Sequence, residues 1–129
     1  MGNSYISKRL ASFGYAFNGI AAFLRSEPHA RIHALATIVV VAAGCWYKIA
    51  TPEWIWIILA ITLVWITEML NTVIEKIMDH LSPQLHPKVK FIKDVAAGAV
   101  LIAAIAAIII GAVIFIPYIL TDLKVTICN

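Results

Sequence analysis

The stretch EMLNTVIEKIMD, Glu68 to Asp79, places three acids and an amide at the end of one of the most apolar runs in the chain. On a helix advancing about 100° per residue, Glu68, Asn71, Glu75 and Asp79 fall within an arc of roughly 80°. They share one face. A carboxylate in hydrocarbon is costly, so acids gathered on one side of a membrane helix face a protein interior or a functional cavity.

Composition identifies the solvent. With 62% hydrophobic residues, 13% charged residues and a mean hydropathy of +0.91, a chain of 129 residues has too little polar surface for a water-soluble domain. Three apolar blocks reach spanning length, Ala34 to Tyr47 with a polar lead-in, Trp54 to Asn71, and Val95 to Leu120. Lys8, Arg9, Asn18 and Arg25 interrupt the N-terminal segment, which therefore lacks the continuous apolar core of a cleavable signal and is expected to be retained. Cys45 and Cys128 have no metal-ligand spacing and read as free thiols.

Lys8, Arg9, Arg25 and Arg31 precede the first span, and Lys76, Lys88, Lys90 and Lys93 lie between the second and third. Only Lys48, set against Glu53, occupies the remaining loop. The excess of basic residues predicts a cytoplasmic N-terminus and a cytoplasmic 76–94 loop. Trp46, Tyr47, Trp54 and Trp56 then cluster at the outer interface, where aromatic rings favour the headgroup region.

Ile6, Leu10, Phe13, Phe17, Ile20 and Leu24 recur at alternating steps of four and three, predicting an amphipathic helix on the membrane surface. Pro28 biases Glu27 away from α geometry, so this helix is expected to end near Ser26 and the chain to turn into the bilayer through SEPHARIH. Spacing alone makes Glu27 a corner residue within reach of Arg31. In the third span, Ala99, Ala103, Ala107 and Gly111 form a four-residue stripe on which another helix could pack closely. The fold class is therefore all-α integral membrane, with a surface helix at about 5–26 and membrane helices at about 33–49, 54–79 and 94–120.

The cytoplasmic ends thus gather Glu27, Glu68, Glu75, Asp79, Lys93 and Asp94. Oxygen ligands of this kind suit Mg²⁺ shared with substrate phosphates, and lysines neutralise further phosphate charge, which favours phosphoryl transfer. A proton or ion relay would need acids at the midplane and in the outer half, where the second span has none. A small transporter and a structural subunit with a non-catalytic acidic cluster remain the alternatives. Phosphate-loop, protein-kinase and dinucleotide motifs are absent from the sequence, and the few basic residues do not form a nucleic-acid surface.

EMLNTVIEKIMD, with HPKVKFIKDVAAGAVLI after it and GYAFNGIAAFLRSE before it, resembles the small prokaryotic diacylglycerol kinase and undecaprenol kinase family over nearly the whole chain. The resemblance implies a homotrimer of three-span subunits in the bacterial cytoplasmic membrane. Sites between subunits would use Mg-ATP to phosphorylate a lipid hydroxyl. It implies Glu68 as catalytic base, Glu27 and Glu75 as metal ligands, and Asn71 and Asp79 in support. Lys8, Tyr15, Glu27, Glu75, Gln84, Leu85, His86, Lys93 and Asp94 would contact ATP. Arg31, His33, Trp46, Tyr47, Lys48, Ile49, Trp54, Glu68 and Ala97 would contact the lipid. Three positions depart from the Gram-negative diacylglycerol kinases, with His33 in place of an acid, Ala97 in place of a serine and Lys8 in place of an arginine. The AAGAV segment is closer to the undecaprenol kinases of Gram-positive bacteria.

The charge distribution makes topology measurable. In a background lacking Cys45 and Cys128, single cysteines introduced at Ala50 and Gln84 should react with a membrane-impermeant reagent from opposite faces. Labelling of both from one face would overturn the orientation.

Overall fold

The computed structural model describes residues 3–82 and 86–127. Gln84, Leu85 and Cys128 lie outside the described residues. Four helices follow in order, α1 (Asn3–Ser26), α2 (Pro28–Tyr47), α3 (Thr51–Leu81) and α4 (Pro87–Ile127), and no strand occurs among the described residues. Three helices contain segments long and apolar enough to cross a membrane, Pro28–Tyr47, Thr51–Leu81 and Pro87–Lys124. Residues 1–34 and 35–129 form two compact units.

In the first unit, Glu27 is the one non-helical residue between α1 and α2. Pro28 supplies the break because it has no N–H and its fixed φ suits the first position of a new helix. Arg31 secures the end of α1, its guanidinium donating from Nε to the Leu24 carbonyl (3.2 Å) and from a terminal nitrogen to the Arg25 carbonyl (2.6 Å). These are carbonyls that a helix end otherwise leaves unpaired. Glu27 Oε1 accepts the Ser26 hydroxyl at 3.1 Å. The apolar side chains Leu10, Phe13 and Phe17 of α1 are exposed.

The second unit is built on the antiparallel pair α3–α4. On α3 the buried and half-buried positions Ile57, Ile61, Val64, Glu68, Asn71, Glu75 and Met78 alternate steps of four and three. On α4 the positions Lys93, Ala96, Val100, Ala103, Ala107, Ile110 and Ile114 do the same. Both seams follow the 3.5-residue repeat that keeps two helices in continuous contact. The four-residue stripe expected on α4 is corrected accordingly. Ala103 and Ala107 lie in the seam, but Ala99 is exposed. A spacing of four drifts about 40° round the helix at each step and cannot follow a partner for long.

The turn between α2 and α3 is also fixed by backbone chemistry. Lys48 adopts a left-handed φ of 51°, its N–H donates to the Cys45 carbonyl (3.3 Å), and the Ile49 N–H donates to the Gly44 carbonyl (3.1 Å). This pair of reverse bonds satisfies the last carbonyls of α2. Glu53, in the first turn of α3, accepts the Ala50 N–H at 2.7 Å and the Tyr118 hydroxyl at 2.7 Å. One carboxylate therefore caps α3 and ties it to α4. Ile49, Ile57 and Ile114 form the buried core beside this tie.

Helices α2 and α4 begin earlier than hydropathy suggests, at Pro28 and Pro87. At α4 the reason is local. His86 Nδ1 accepts the Lys88 N–H at 3.2 Å, and Pro87 occupies a position where a missing N–H costs nothing. The polar HPKVKFIK segment can therefore extend the helix beyond its apolar part.

Gly44 is where α2 meets α3. A Cβ there would lie 2.7 and 2.9 Å from the Trp54 ring and 3.2 Å from Ile49. Gly44→Val should therefore lose about 1–3 kcal/mol through overpacking. Thermal unfolding in detergent would show a lowered midpoint, and an unchanged midpoint would mean that the contact is not tight.

Candidate active site

The seam of α3 is apolar from Ile57 to Val64 and polar from Glu68 onward. Glu68 is the buried charged residue among the described side chains, at 5% exposure. Two contacts set the register of α3 against α4. Glu53 meets Tyr118 at one end, and at the other Asp79 Oδ1 accepts Lys93 Nζ at 2.9 Å. In that register Glu68 lies level with Ala103, which is 3% exposed. An alanine at this level leaves room for a carboxylate that a larger side chain would fill.

From Glu68 the seam proceeds to Asn71, one turn along, and Glu75, about 10 Å along the helix axis. Asn71 Nδ2 donates to Glu75 Oε1 at 3.3 Å. Asn71 Oδ1 is buried and accepts no hydrogen bond. A buried acceptor left unpaired costs free energy comparable to a lost hydrogen bond, so this oxygen calls for a donor or a cation. Together with the Glu75 carboxylate it offers the hard oxygen donors that Mg²⁺ prefers. The residues present therefore fit such a cation, although no group of three or more His, Cys, Asp or Glu side chains gathers as a ligand set among the described residues.

Farther toward the polar end, Lys93 is held by Asp79, while Lys90 Nζ donates to Asp94 on the same helix. Both pairs are largely exposed, so each contributes little to stability, and the Asp79 pair keeps the Lys93 ammonium at the polar end of the seam. His86 sits at the start of α4 as its cap. Asp79 and Lys93 thus join the helices at the polar end of the pair, while Lys90, Asp94 and His86 are exposed at the start of α4.

The other expected site residues divide by unit. Lys8, Tyr15, Glu27, Arg31 and His33 belong to the first unit, in which Lys8 and Tyr15 are exposed and Glu27 and His33 half-buried. The Lys8 carbonyl accepts the Ser12 hydroxyl at 3.0 Å, and Arg31 spends its guanidinium on the end of α1.

The residues expected to touch lipid near the α2–α3 turn do not converge on Glu68, since Trp54 lies about 21 Å away along α3. Ile49 is in the core, and Tyr47 packs against Phe115 and Tyr118 at 6.4 and 6.0 Å between ring centroids. The Trp54 ring covers Gly44. Only Trp46 and Lys48 of this group are exposed, because the others fill the α2–α3-turn end of the bundle. Ala97 is exposed on α4, level with Glu75 but off the buried seam.

One polar contact escaped the reading of the sequence. Trp65 Nε1 donates to Thr37 Oγ1 at 3.0 Å, a half-buried bond joining α3 to α2 one turn from Glu68. The only signal for it is that a threonine and a tryptophan interrupt apolar spans. Nothing in the sequence pairs residues 28 apart.

The prokaryotic diacylglycerol kinase family model matches residues 14–115. The undecaprenol kinase of Bacillus subtilis (strain 168) is 37% identical over 112 residues, covering 87% of this chain and 91% of that protein. A diacylglycerol kinase of Synechocystis sp. is 35% identical over 113 residues, covering 87% of this chain and 65% of that protein. The diacylglycerol kinase of Escherichia coli (strain K12) is 32% identical over 96 residues, covering 74% of this chain and 79% of that protein. The match includes the whole α3 seam and the polar start of α4, and it makes the chain a lipid kinase of the prokaryotic diacylglycerol kinase family.

Proposed function

We propose that this chain, as one catalytic domain, transfers the γ-phosphate of ATP to the hydroxyl of a membrane lipid alcohol, with Mg²⁺, at the cytoplasmic face of the bacterial inner membrane. The observation that carries the reading is the place of Glu68, buried where an apolar helix seam turns polar. A lipid hydroxyl sits at the same kind of boundary, with its tail in hydrocarbon and its oxygen at the polar edge. Helix α3 supports that depth. Its 31 residues span about 46 Å, well beyond the roughly 30 Å of hydrocarbon, so its polar end extends out of the apolar layer.

Glu68 accepts the proton of the lipid hydroxyl as that oxygen bonds to the γ-phosphorus, and the bond from the γ-phosphorus to the bridging oxygen of ADP breaks. Proton acceptance by a positioned carboxylate accelerates such a step by about 10²–10⁴ fold. Glu75 and Glu27, with Asn71 Oδ1 beside Glu75, would hold Mg²⁺. When bound, the cation neutralises phosphate charge and stabilises the charge that spreads over the transferring group. Lys93, kept in place by Asp79, together with Asp94, His86, Gln84, Leu85, Lys8 and Tyr15, would orient the nucleotide. Arg31, His33, Ala97, Trp46 and Lys48 would line the lipid path.

A homotrimer with a cytoplasmic N-terminus and sites completed between subunits belongs to the same proposal. The exposed Leu10, Phe13 and Phe17 of α1 support it, because an apolar stripe of this kind calls for a membrane surface or a second subunit. The relatives' names supply two acceptors, undecaprenol and diacylglycerol, and both present one alcohol on a long apolar body. Ala97 removes a polar contact from the wall level with Glu75. Purified protein assayed side by side with ATP and each alcohol in the same bilayer decides between them. Phosphate released without any lipid product would overturn the proposal.

The acids on α3 have separable roles. Glu68→Gln should retain Mg-ATP binding and lower turnover by about 10²–10⁴ fold, a loss that added magnesium does not restore. Near-normal turnover would remove Glu68 as the base. Glu75→Gln should instead weaken nucleotide binding and recover part of its activity as Mg²⁺ is raised. Titration calorimetry of Mg-ATP across magnesium concentrations checks this, and an unchanged metal dependence would take Glu75 out of the metal site.

A further inference from the structure

Thr37 and Trp65 form a polar contact where an apolar one would be expected. Both side chains are half-buried, and Trp65 Nε1 donates to Thr37 Oγ1 at 3.0 Å across the α2–α3 contact. Within an apolar layer no water competes for such a bond, so it holds two helices at a fixed separation and rotation more strictly than apolar packing does. Toward the α2–α3 turn, α2 is located by Gly44 against Trp54 and by the backbone bonds around Lys48. The Thr37–Trp65 bond is a second point on the same contact, about 16 Å along α3 from Trp54. Two separated points fix rotation, which one alone does not.

The second point lies beside the proposed base. Glu68 is one turn beyond Trp65, about 4.5 Å along the axis and about 60° round it. On the other flank of α3, the residues that meet α4, Glu53 and Asp79, bracket the seam in which Glu68 is buried. Glu68 therefore projects between the α2-facing and α4-facing sides of α3, and the rotation of α3 decides where its carboxylate points. With the carboxylate about 6 Å from the axis, a rotation of roughly 10–20° moves it about 1–2 Å, enough to cost about a hundredfold in rate.

We propose that Thr37 and Trp65 are a positioning pair that sets the aim of Glu68. The inference rests on the reading of Glu68 as the base. It concerns residues of α2 and α3 that do not themselves contact ATP or the reacting hydroxyl.

The test measures kcat and KM for ATP and for the lipid alcohol in the full chain, in bilayers, for Thr37→Val, Thr37→Ser, Trp65→Phe, Glu68→Gln and the Thr37→Val/Glu68→Gln double variant. Thr37→Val removes the bond while nearly preserving shape, and Trp65→Phe removes it together with part of the indole ring. Each should lower kcat by about 10–100 fold with KM for ATP within about twofold, as expected for a displaced catalytic group. Thr37→Ser keeps the hydroxyl and should restore kcat to within about threefold of the parent. In the Glu68→Gln background, Thr37→Val should cost nothing further, because there is no base left to aim. Unchanged kcat in both Thr37→Val and Trp65→Phe would overturn the proposal. So would a loss confined to KM, a failure of serine to rescue, or an equal loss in the Glu68→Gln background. If Thr37→Val does not fold, Trp65→Phe, alone and with Glu68→Gln, carries the same comparison. Near-parental turnover in Glu68→Gln would instead remove the base itself. Normal turnover in Thr37→Val beside a slow Glu68→Gln would overturn the positioning role alone.

Discussion

The α3–α4 seam must bury a carboxylate and still close, and most of the second unit follows from that requirement. A charge taken from water costs several kcal/mol even after the protein relaxes around it. The seam keeps Glu68 at 5% exposure opposite a stretch of α4 in which Ala96 and Ala103 are the buried residues. Small side chains let the helices approach and leave the carboxylate its own volume. The fully buried large residues of the seam, Ile57 and Ile114, lie toward the other end, beside the Glu53–Tyr118 contact.

The two ends of the seam are held by different means. At the α2–α3 turn, the Glu53 carboxylate receives a backbone N–H and the Tyr118 hydroxyl, and the Schellman-type bonds around Lys48 lock the approach of α2. At the polar end, Lys93 and Asp79 form an exposed ion pair. An exposed pair is weak and exchangeable, whereas the Glu53 contacts hold the end of α3 that begins the apolar run. Both contacts set the register of the helix pair, and the exposed one leaves a lysine ammonium near water at the polar end. This division matches a kinase whose lipid enters from the apolar side and whose nucleotide comes from water.

The orphaned Asn71 oxygen belongs to the same design. Its amide already donates to Glu75, so the side chain is oriented, with its acceptor buried and unpaired. An oriented, unpaired oxygen beside a carboxylate is a cost to folding that a bound cation would relieve. Departures from full hydrogen bonding of this kind concentrate at functional sites.

The sequence by itself determined the solvent, the helical class and the polar face of α3. Each of these depends on composition or on a period within one helix, and Glu68, Asn71 and Glu75 lie in the seam because their 4–3 spacing continues that of Ile57, Ile61 and Val64. Contacts between helices were decided only by the tertiary structure. Spacing suggested Arg31 as a partner for Glu27, but its guanidinium reaches the free carbonyls of α1. Tyr47, Ile49 and Trp54, expected to contact the lipid substrate, pack together at the α2–α3-turn end of the bundle, and Ala103 and Ala107 of the expected α4 stripe lie in the seam whereas Ala99 does not. Thr37 and Trp65 had no signature that pairs them. A helix fixes the angle between its own side chains, but which angle meets a neighbour depends on the rotation and register of both helices. Those are set by the whole set of contacts at once, which no period within one segment encodes.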